Sequence, residues 1–308
     1  MEPFQAIRRK SQPRREDPVS KQLDHPPALD GSLRARNIDL SEADAQFRQW
    51  MHENLSHAAD HFGLTVVGQA RFGWSDRSIS ARVQAADRQL WLRVASEDKQ
   101  WTGGDFWTGN FAANVFATLS KPRVLDVYEW EEWRQQRAEL MTLAPGSPCS
   151  PTDTLSHAID LPDEWWTQLG RTIQVVAATP TDRINADQAL VTGRIQQHIG
   201  NSLNPVVRQW ETVHGDLHWA NLMGPDFSLL DWESWGRGPV GTDAATLFCY
   251  SLLVPETADR VWSTFAHVLH TDAGQLALLY VAARLLHRID KGDHPDLAAP
   301  LRKLVETF

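Results

Sequence analysis

A polar segment interrupts the mostly helical second half of the chain. It has the sequence VHGDLHWANLM at residues 213–223, and FSLLDWE follows at 227–233. Helix-compatible segments lie on both sides, around 184–200 and 241–254. This arrangement predicts a loop and a short hairpin that bring polar side chains to one place. The segment therefore restricts the fold more than any other part of the sequence.

The first half of the chain predicts a small sheet accompanied by helices. Apolar residues recur at helical spacing after Ser41 and stop at Gly63. Five short, partly alternating segments then predict strands, the first three antiparallel and joined by tight turns: 64–67, 78–83, 90–94, 123–128 and 137–143. A further helix is predicted between the third and fourth strands, over 106–119.

A turn-rich connector, APGSPCSP at 144–151, separates this half from the helical half. Helices are predicted around 163–178, 184–200, 241–254, 256–270, 273–289 and 295–307. The simplest architecture is an α+β fold with two lobes: a small antiparallel-sheet lobe over 39–143 and a mainly helical lobe over 144–308. Residues 1–38 are charged and lack apolar periodicity, which predicts a flexible tail.

Composition excludes several classes of function. A net charge of -9 argues against a nucleic-acid partner, whose phosphates need a basic surface. The two cysteines, Cys149 and Cys249, lack the spacing of a zinc site or a disulfide scaffold, which fits a reducing compartment. No apolar run approaches the roughly 20 residues that cross a bilayer, and no signal peptide is recognisable. We therefore expect a cytoplasmic protein without a membrane partner; the sequence does not indicate its oligomeric state.

Three side chains of the polar segment have the chemistry that phosphoryl transfer requires. That reaction needs a carboxylate to accept or orient the proton of the nucleophile, and two oxygen ligands that hold magnesium on the phosphates. Asp216, Asn221 and Asp231 supply all three. His214 lies two residues before Asp216, and Asn221 lies five residues after it, which matches the kinase catalytic loop with glycine in place of arginine.

HGDLHWAN followed by LLDWE resembles the aminoglycoside phosphotransferase and choline kinase family, which has the protein-kinase-like fold. The resemblance is strongest over 210–250 and extends over 64–144 only in the order of elements. It implies an enzyme that uses ATP (or GTP) and magnesium to phosphorylate a hydroxyl of a small molecule, such as an aminoglycoside-like or related antibiotic or metabolite. It also implies that Asp216 is the catalytic base and that Asn221 and Asp231 ligate magnesium.

The same resemblance suggests supporting roles for three residues. His214 would be a structural member of the loop, and Asp243 would anchor the loop backbone. Glu233 would either bear on a second metal or stabilise the hairpin, and the structural role is favoured.

In the first lobe the resemblance suggests where a nucleotide would bind. FGWSDRS, between the first two strands, lies where similar kinases place a loop over the phosphates, although an ordinary hairpin turn explains it equally well. Backbone amides and the hydroxyl of Ser75 or Ser78 could contact phosphate oxygens there. ELMTLAPG at 139–146 resembles the hinge, so an adenine edge would meet the backbone of Thr142 and Ala144.

Arg93 departs from the family pattern, because it stands where the family has a lysine for the α- and β-phosphates. Arginine keeps the positive charge and can bind phosphate with two hydrogen bonds, but its planar group occupies a different space. The predicted helix over 106–119 contains no acid to pair with this cation, so Glu97 and Asp105 are the nearby candidates.

Two other functions stay open. His214, Asp216 and His218 could ligate a metal in a metal-dependent hydrolase. Alternatively, the change at Arg93 suggests a catalytically impaired accessory or binding protein with a kinase fold, for example in peptide natural-product modification. A negative cleft rim that attracts a cationic acceptor, or else a solvated surface, would be formed by Glu129, Glu131, Glu132, Asp160, Asp163 and Glu164.

Overall fold

The computed structural model describes residues 40–200, 203 and 205–308. The segment 1–38, predicted to be a flexible tail, lies outside the described residues. The predicted α+β class and the two-lobed layout are confirmed, with a five-stranded antiparallel sheet in the first lobe and most of the helices in the second. None of the described helices is both long and apolar enough to cross a membrane.

The first lobe is an antiparallel sheet with one long helix packed against it. Its elements are α1 (Leu40–His61), β1 (Thr65–Phe72), β2 (Ser78–Ala85), β3 (Arg88–Glu97), β4 (Val124–Glu131) and β5 (Gln135–Thr142). The strand order is β1-β2-β3-β5-β4, so β3 lies at the centre of the sheet. Met51 and Leu55 of α1 pack on Ile79, Leu92 and Val94 of the sheet. All five predicted strands are present, and each is longer than predicted.

The prediction of a single helix over 106–119 is wrong. This segment instead forms a one-turn helix, α2 (Gly109–Ala112), with a short 3-10 turn on either side. The Asn114 side chain donates to the Val124 carbonyl (2.8 Å) and accepts from the Val124 amide (3.2 Å). Phe116 belongs to the core of the second lobe. Because one turn gains few internal hydrogen bonds, these tertiary contacts override the helical pattern.

The second lobe is mainly helical. Its helices are α3 (Asp163–Ala177), α4 (Gln188–His198), α5 (Thr242–Ser251), α6 (Pro255–Leu269), α7 (Asp272–Ile289) and α8 (Ala298–Val305). Its short strands are β6 (Ser147–Pro148), β7 (Trp210–Val213), β8 (Leu222–Gly224), β9 (Ser228–Leu229) and β10 (Gly236–Pro239). The six predicted helices are all present within a few residues of their predicted ends. The lobe boundary at residue 143 stays a prediction.

Two small sheets hold the polar segment in place. β7 leads into the segment and pairs with β10, and β8 lies at its end and pairs with β6 and β9. Beneath the loop, the buried Trp219 donates from its indole to the Ser251 hydroxyl (3.0 Å), and Trp165 donates to the Met223 carbonyl (2.8 Å). Because both indoles have hydrogen-bond partners, the core under the loop buries large rings without an unsatisfied donor.

Candidate active site

A cleft of about 1040 Å³ lies between the two lobes. Its walls include the β1–β2 loop, the centre of β3, the segment after β5 and the polar segment. The candidate site residues among its lining are Ser78, Arg93, Thr142, Ala144, Asp216, Asn221, Asp231 and Glu233. Ser75, His214 and Asp243 are not among the lining residues. The structure thus brings most of the candidates from both lobes to one cavity.

The backbone at the start of the polar segment is held from below. The Asp243 carboxylate accepts from the amides of His214 (2.7 Å) and Gly215 (2.9 Å), and Arg284 donates to the Gly215 carbonyl (3.0 Å). Gly215 has φ +85°, and a Cβ there would lie 2.1 Å from Asn185 Nδ2. Only glycine fits this combination of conformation and space. Burial raises the pKa of Asp243 to about 7, although the two amides oppose the shift.

Asp216 follows this anchor directly, and its side chain is 35% accessible in the cleft. Its Oδ2 lies 3.3 Å from His218 Nε2, and its carbonyl accepts from Asn221 Nδ2 at 3.0 Å. Burial alone would raise the pKa of Asp216, but His218 and the more distant Arg288 and Arg284 hold this pKa below its usual range. The carboxylate is therefore ionised at neutral pH and fixed in orientation.

Asn221 and Asp231 fit a magnesium site. The Leu230 amide donates to the Asn221 carbonyl (2.8 Å), which brings the two candidate ligands together. The Asn221 amide nitrogen already contacts Asp216 and His218, so Oδ1 is the atom left to ligate a cation. Burial and the nearby Asp216 carboxylate raise the pKa of Asp231, although Arg93 opposes the shift. A carboxylate and an amide oxygen are ligands that magnesium accepts beside phosphate oxygens.

The position of His214 argues against a hydrolase site made of His214, Asp216 and His218. His214 is fully buried; its Nε2 lies 2.9 Å from the Leu230 carbonyl, and its Nδ1 lies 3.4 Å from the Asp216 amide. Both ring nitrogens are thus engaged by the protein backbone. In the described part of the chain, no group of three or more His, Cys, Asp or Glu residues is placed to hold a metal ion.

Arg93 lies between two carboxylates at the other side of the cleft. It forms an ion pair with Glu233, and its Nη1 lies 3.7 Å from Glu139 Oε2. Burial would lower the pKa of Arg93, but Glu233 and Glu139 raise it. The same burial raises the pKa of Glu233 to about 7, against the effect of Arg93. Glu233 thus links the polar segment to the sheet of the first lobe.

No family model matches the sequence, and no curated protein matches it either. Solved structures do match. A thermostable mutant of aminoglycoside phosphotransferase APH(4)-Ia, in a ternary complex with AMP-PNP and hygromycin B, has a TM-score of 0.54 at 15% identity, over 82% of this chain and 96% of that chain. The chain has the aminoglycoside phosphotransferase fold.

A second solved structure gives the same result. Spectinomycin phosphotransferase APH(9)-Ia, in complex with ADP and spectinomycin, has a TM-score of 0.50 at 11% identity, over 81% of this chain and 88% of that chain. At this level of identity the likeness concerns the fold alone. It confirms, for the fold, the resemblance that the motifs of the polar segment indicated.

Within the aminoglycoside phosphotransferase fold of this chain, the two acids expected to pair with Arg93 are elsewhere. Glu97 forms ion pairs with Arg77 and with Arg134, the latter at 3.2 Å. Asp105 accepts from the Ile184 amide at 3.1 Å. Both expectations are wrong, because they followed distance along the chain. Glu139 is the neighbour of Arg93 on the adjacent strand β5.

The expected acidic rim and the expected hinge lie differently with respect to the cleft. The six acids expected to form a negative rim, Glu129, Glu131, Glu132, Asp160, Asp163 and Glu164, are not among the lining residues. At the expected hinge, the Thr142 amide donates to the Arg123 carbonyl, and the Thr142 hydroxyl accepts from the Arg123 amide, both at 2.9 Å. The end of β5 is therefore fixed where it enters the cleft.

Sequence reasoning missed a group of charged residues beside Asp216. Asp153 Oδ2 lies 2.9 Å from His294 Nε2 and 3.5 Å from Arg288 Nη2, and Asp153 Oδ1 lies 3.6 Å from His218 Nε2. Asp153 and Arg288 line the cleft. The one available signal was helical spacing, since Arg288 follows Arg284 by one turn of α7 and so lies on the same face.

Proposed function

We propose that the protein is an ATP- and magnesium-dependent phosphotransferase that acts on a hydroxyl group of a small molecule. The observation that carries the proposal is that Asp216, Asn221, Asp231 and Arg93 line one cleft. The fold likeness supports it, because the two matched structures contain AMP-PNP or ADP together with a small molecule. Aminoglycoside-like acceptors are one candidate class.

The first lobe would bind the nucleotide. Arg93 would contact the phosphates, and the β1–β2 loop, which ends at Ser78, would cover them with backbone amides. Because the Thr142 amide already donates to Arg123, an adenine edge would meet the Thr142 carbonyl or the backbone of Ala144. Adenine and guanine present different edges to such a backbone, so separate titrations with ATP and with GTP would show which base the protein binds.

Asn221 Oδ1 and the Asp231 carboxylate would hold magnesium. When bound, magnesium supplies positive charge that neutralises the phosphate oxygens during transfer. Burial of Asp231 beside Asp216, which raises the pKa of Asp231, is the electrostatic situation that a bound cation relieves. Glu233 has a structural role in this proposal, since it pairs with Arg93.

Asp216 would accept the proton of the acceptor hydroxyl. Its pKa lies below the usual range, so the carboxylate orients the hydroxyl and takes the proton only as the new bond to phosphorus forms. The contacts from His218 and Asn221 hold it in a fixed position. A hydroxyl held within about 3 to 3.5 Å of the γ-phosphorus has the geometry for in-line attack.

Calorimetric titration with ATP and GTP, each with and without magnesium, tests the proposal. We expect saturable binding that magnesium strengthens. Asp231→Asn should remove the magnesium effect, whereas Asp226→Asn, an exposed aspartate in the same hairpin, should leave it intact. Equal affinity with and without magnesium contradicts the metal site. Stoichiometric zinc without nucleotide binding would instead support the hydrolase.

One observation favours the accessory protein as a second candidate. Arg93 is paired with Glu233 and lies near Glu139, so a phosphate must compete with two carboxylates for it. If neither nucleotide binds with magnesium, these pairs are permanent and the accessory function is the better explanation.

A further inference from the structure

Arg288 is a fixed positive charge close to the candidate base. It lies near the end of α7, its side chain is 19% accessible, and it lines the cleft. Arg288 Nη1 donates to the Tyr250 hydroxyl at 2.8 Å, and its Nε donates to Asp293 Oδ2 at 3.1 Å. Its Nη2 lies 3.5 Å from Asp153 Oδ2. A guanidinium with partners on several sides is held in one orientation.

Asp153 is the carboxylate that links this charge to the reaction centre. It contacts Arg288 and His294 through Oδ2 and lies near His218 through Oδ1. His218 in turn contacts Asp216 at 3.3 Å. Burial would raise the pKa of Asp153, but His294, His218 and Arg288 lower it. Asp153 is therefore a carboxylate whose oxygens already have cationic or hydrogen-bonding neighbours.

The other carboxylates that line the cleft either have a cationic neighbour or have a role in the proposed reaction. Glu97 pairs with Arg77 and Arg134, Asp105 lies 3.9 Å from Arg183, and Glu233 pairs with Arg93. The remaining two, Asp216 and Asp231, are needed for the proton and the metal in the proposed reaction. A polycationic acceptor would need several carboxylates whose charge is not already balanced.

Building on the proposed function, we infer that Arg288 determines acceptor specificity. Its guanidinium already pairs with Asp153, so this carboxylate is not open to an ammonium group of the acceptor. The acceptor is accordingly an uncharged polyhydroxy compound, such as a neutral sugar or a nucleoside. A polycation would be repelled by the charge of Arg288, and the lining carboxylates that the reaction does not use are already paired with cations. An anionic acceptor is disfavoured too, because the carboxylates of Asp216 and Asp231 line the same wall.

Titration with a polycation tests this assignment. Kanamycin A, a polyamine sugar, is the probe, and calorimetry is performed on the full chain with magnesium and AMP-PNP at low salt. Wild-type protein should show no saturable binding below about 1 mM. Arg288→Gln removes the guanidinium charge beside Asp153, so it should bind kanamycin at least about tenfold more tightly than wild type. Arg288→Lys keeps the charge and should behave like wild type.

Arg302→Gln is the matched control, since it removes the same charge from an exposed position on α8. Tightening in Arg288→Gln alone supports the inference. Equal behaviour of Arg288→Gln and Arg302→Gln overturns it, as does micromolar binding of kanamycin to wild type or transfer of labelled phosphate to kanamycin. Thermal unfolding checks that Arg288→Gln is folded; if it is not, the wild-type result decides.

Nucleotide titration of the same samples separates this inference from the proposed function. A wild-type protein that does not bind magnesium and AMP-PNP contradicts the proposed function. A wild-type protein that binds the nucleotide and also kanamycin contradicts only the assignment of Arg288.

Discussion

Arg93 of β3 and Glu139 of β5 are register partners in the sheet of the first lobe, with 3.7 Å between Arg93 Nη1 and Glu139 Oε2. Glu139 also accepts from Arg137 Nε and from Asn110 Nδ2, both at 3.0 Å. Asn110 in turn accepts from the Trp232 amide at 2.9 Å. The central sheet thus supplies a second carboxylate neighbour for Arg93, besides Glu233, and connects it to the segment that contains Asp231.

Glu139→Gln should destabilise the protein by about 2 kcal/mol, because Arg93 and Arg137 lose the buried carboxylate that they share and keep only the more accessible Glu233 and Glu129. Glu139 is only 1% exposed, so water cannot replace the lost carboxylate. Urea denaturation measures the change in the free energy of unfolding. Glu129→Gln is the control, since the Glu129 side chain also pairs with Arg137 but is 41% accessible; it should cost less than about 1 kcal/mol. Equal costs would show that the buried pair contributes no more than the exposed one.

Gly109→Ala should weaken binding of nucleotide with magnesium by about tenfold or more. A Cβ at this position would lie 2.4 Å from the Glu233 carbonyl and 2.6 Å from the Trp232 carbonyl. Both are backbone atoms, so the segment next to Asp231 must move away from α2. Calorimetric titration gives the affinity. Gly103→Ala has open space around its Cβ and should leave the affinity unchanged; similar losses in both variants would contradict the packing argument.

Asp216→Asn should reduce turnover by about 10² to 10⁴ while leaving nucleotide affinity within about threefold, because it removes the proton acceptor and keeps the shape. Once an acceptor is identified, labelled phosphate transfer measures turnover and calorimetry measures affinity. Asp226→Asn should lower neither. A variant at Asp216 with unchanged turnover would mean that another group accepts the proton.

The polar segment could be predicted from the sequence because its residues are close together in the chain. Asp216, Asn221 and Asp231 lie within 16 residues of one another, so their spacing was visible without the fold. The five strands and the long helix of the first lobe, and the six helices of the second lobe, were likewise predictable, since each follows a local hydrophobic period. The fold class followed from their order along the chain.

Contacts between distant parts of the chain could not be predicted in the same way. The pairing of Arg93 with Glu139 depends on the register of β3 against β5, which local sequence does not determine. Asp153 and Arg288 meet beside Asp216 because α7 packs under the polar segment, where Arg284 donates to the Gly215 carbonyl. The failed helix over 106–119 has the same cause, since Asn114 bonds to β4 and Phe116 packs into the second lobe.

Asp243 should make the stability of the protein depend on pH. Burial raises its pKa to about 7 in the folded protein, against 3.8 in the unfolded chain. Between these values the folded state holds a proton that the unfolded state has released, so the contribution of Asp243 to the free energy of unfolding is full below pH 4 and decreases as the pH rises to about 7.

Urea denaturation of wild type and Asp243→Asn from pH 4 to pH 8 isolates this effect, because the variant does not titrate. The stability of wild type relative to the variant should fall by roughly 1 kcal/mol or more between pH 4 and pH 7, and stay constant above pH 7. Asp226→Asn, at an exposed position, should show no such trend. A relative stability that rises with pH would mean that the His214 and Gly215 amides outweigh burial, and that Asp243 anchors the loop as a carboxylate of depressed pKa.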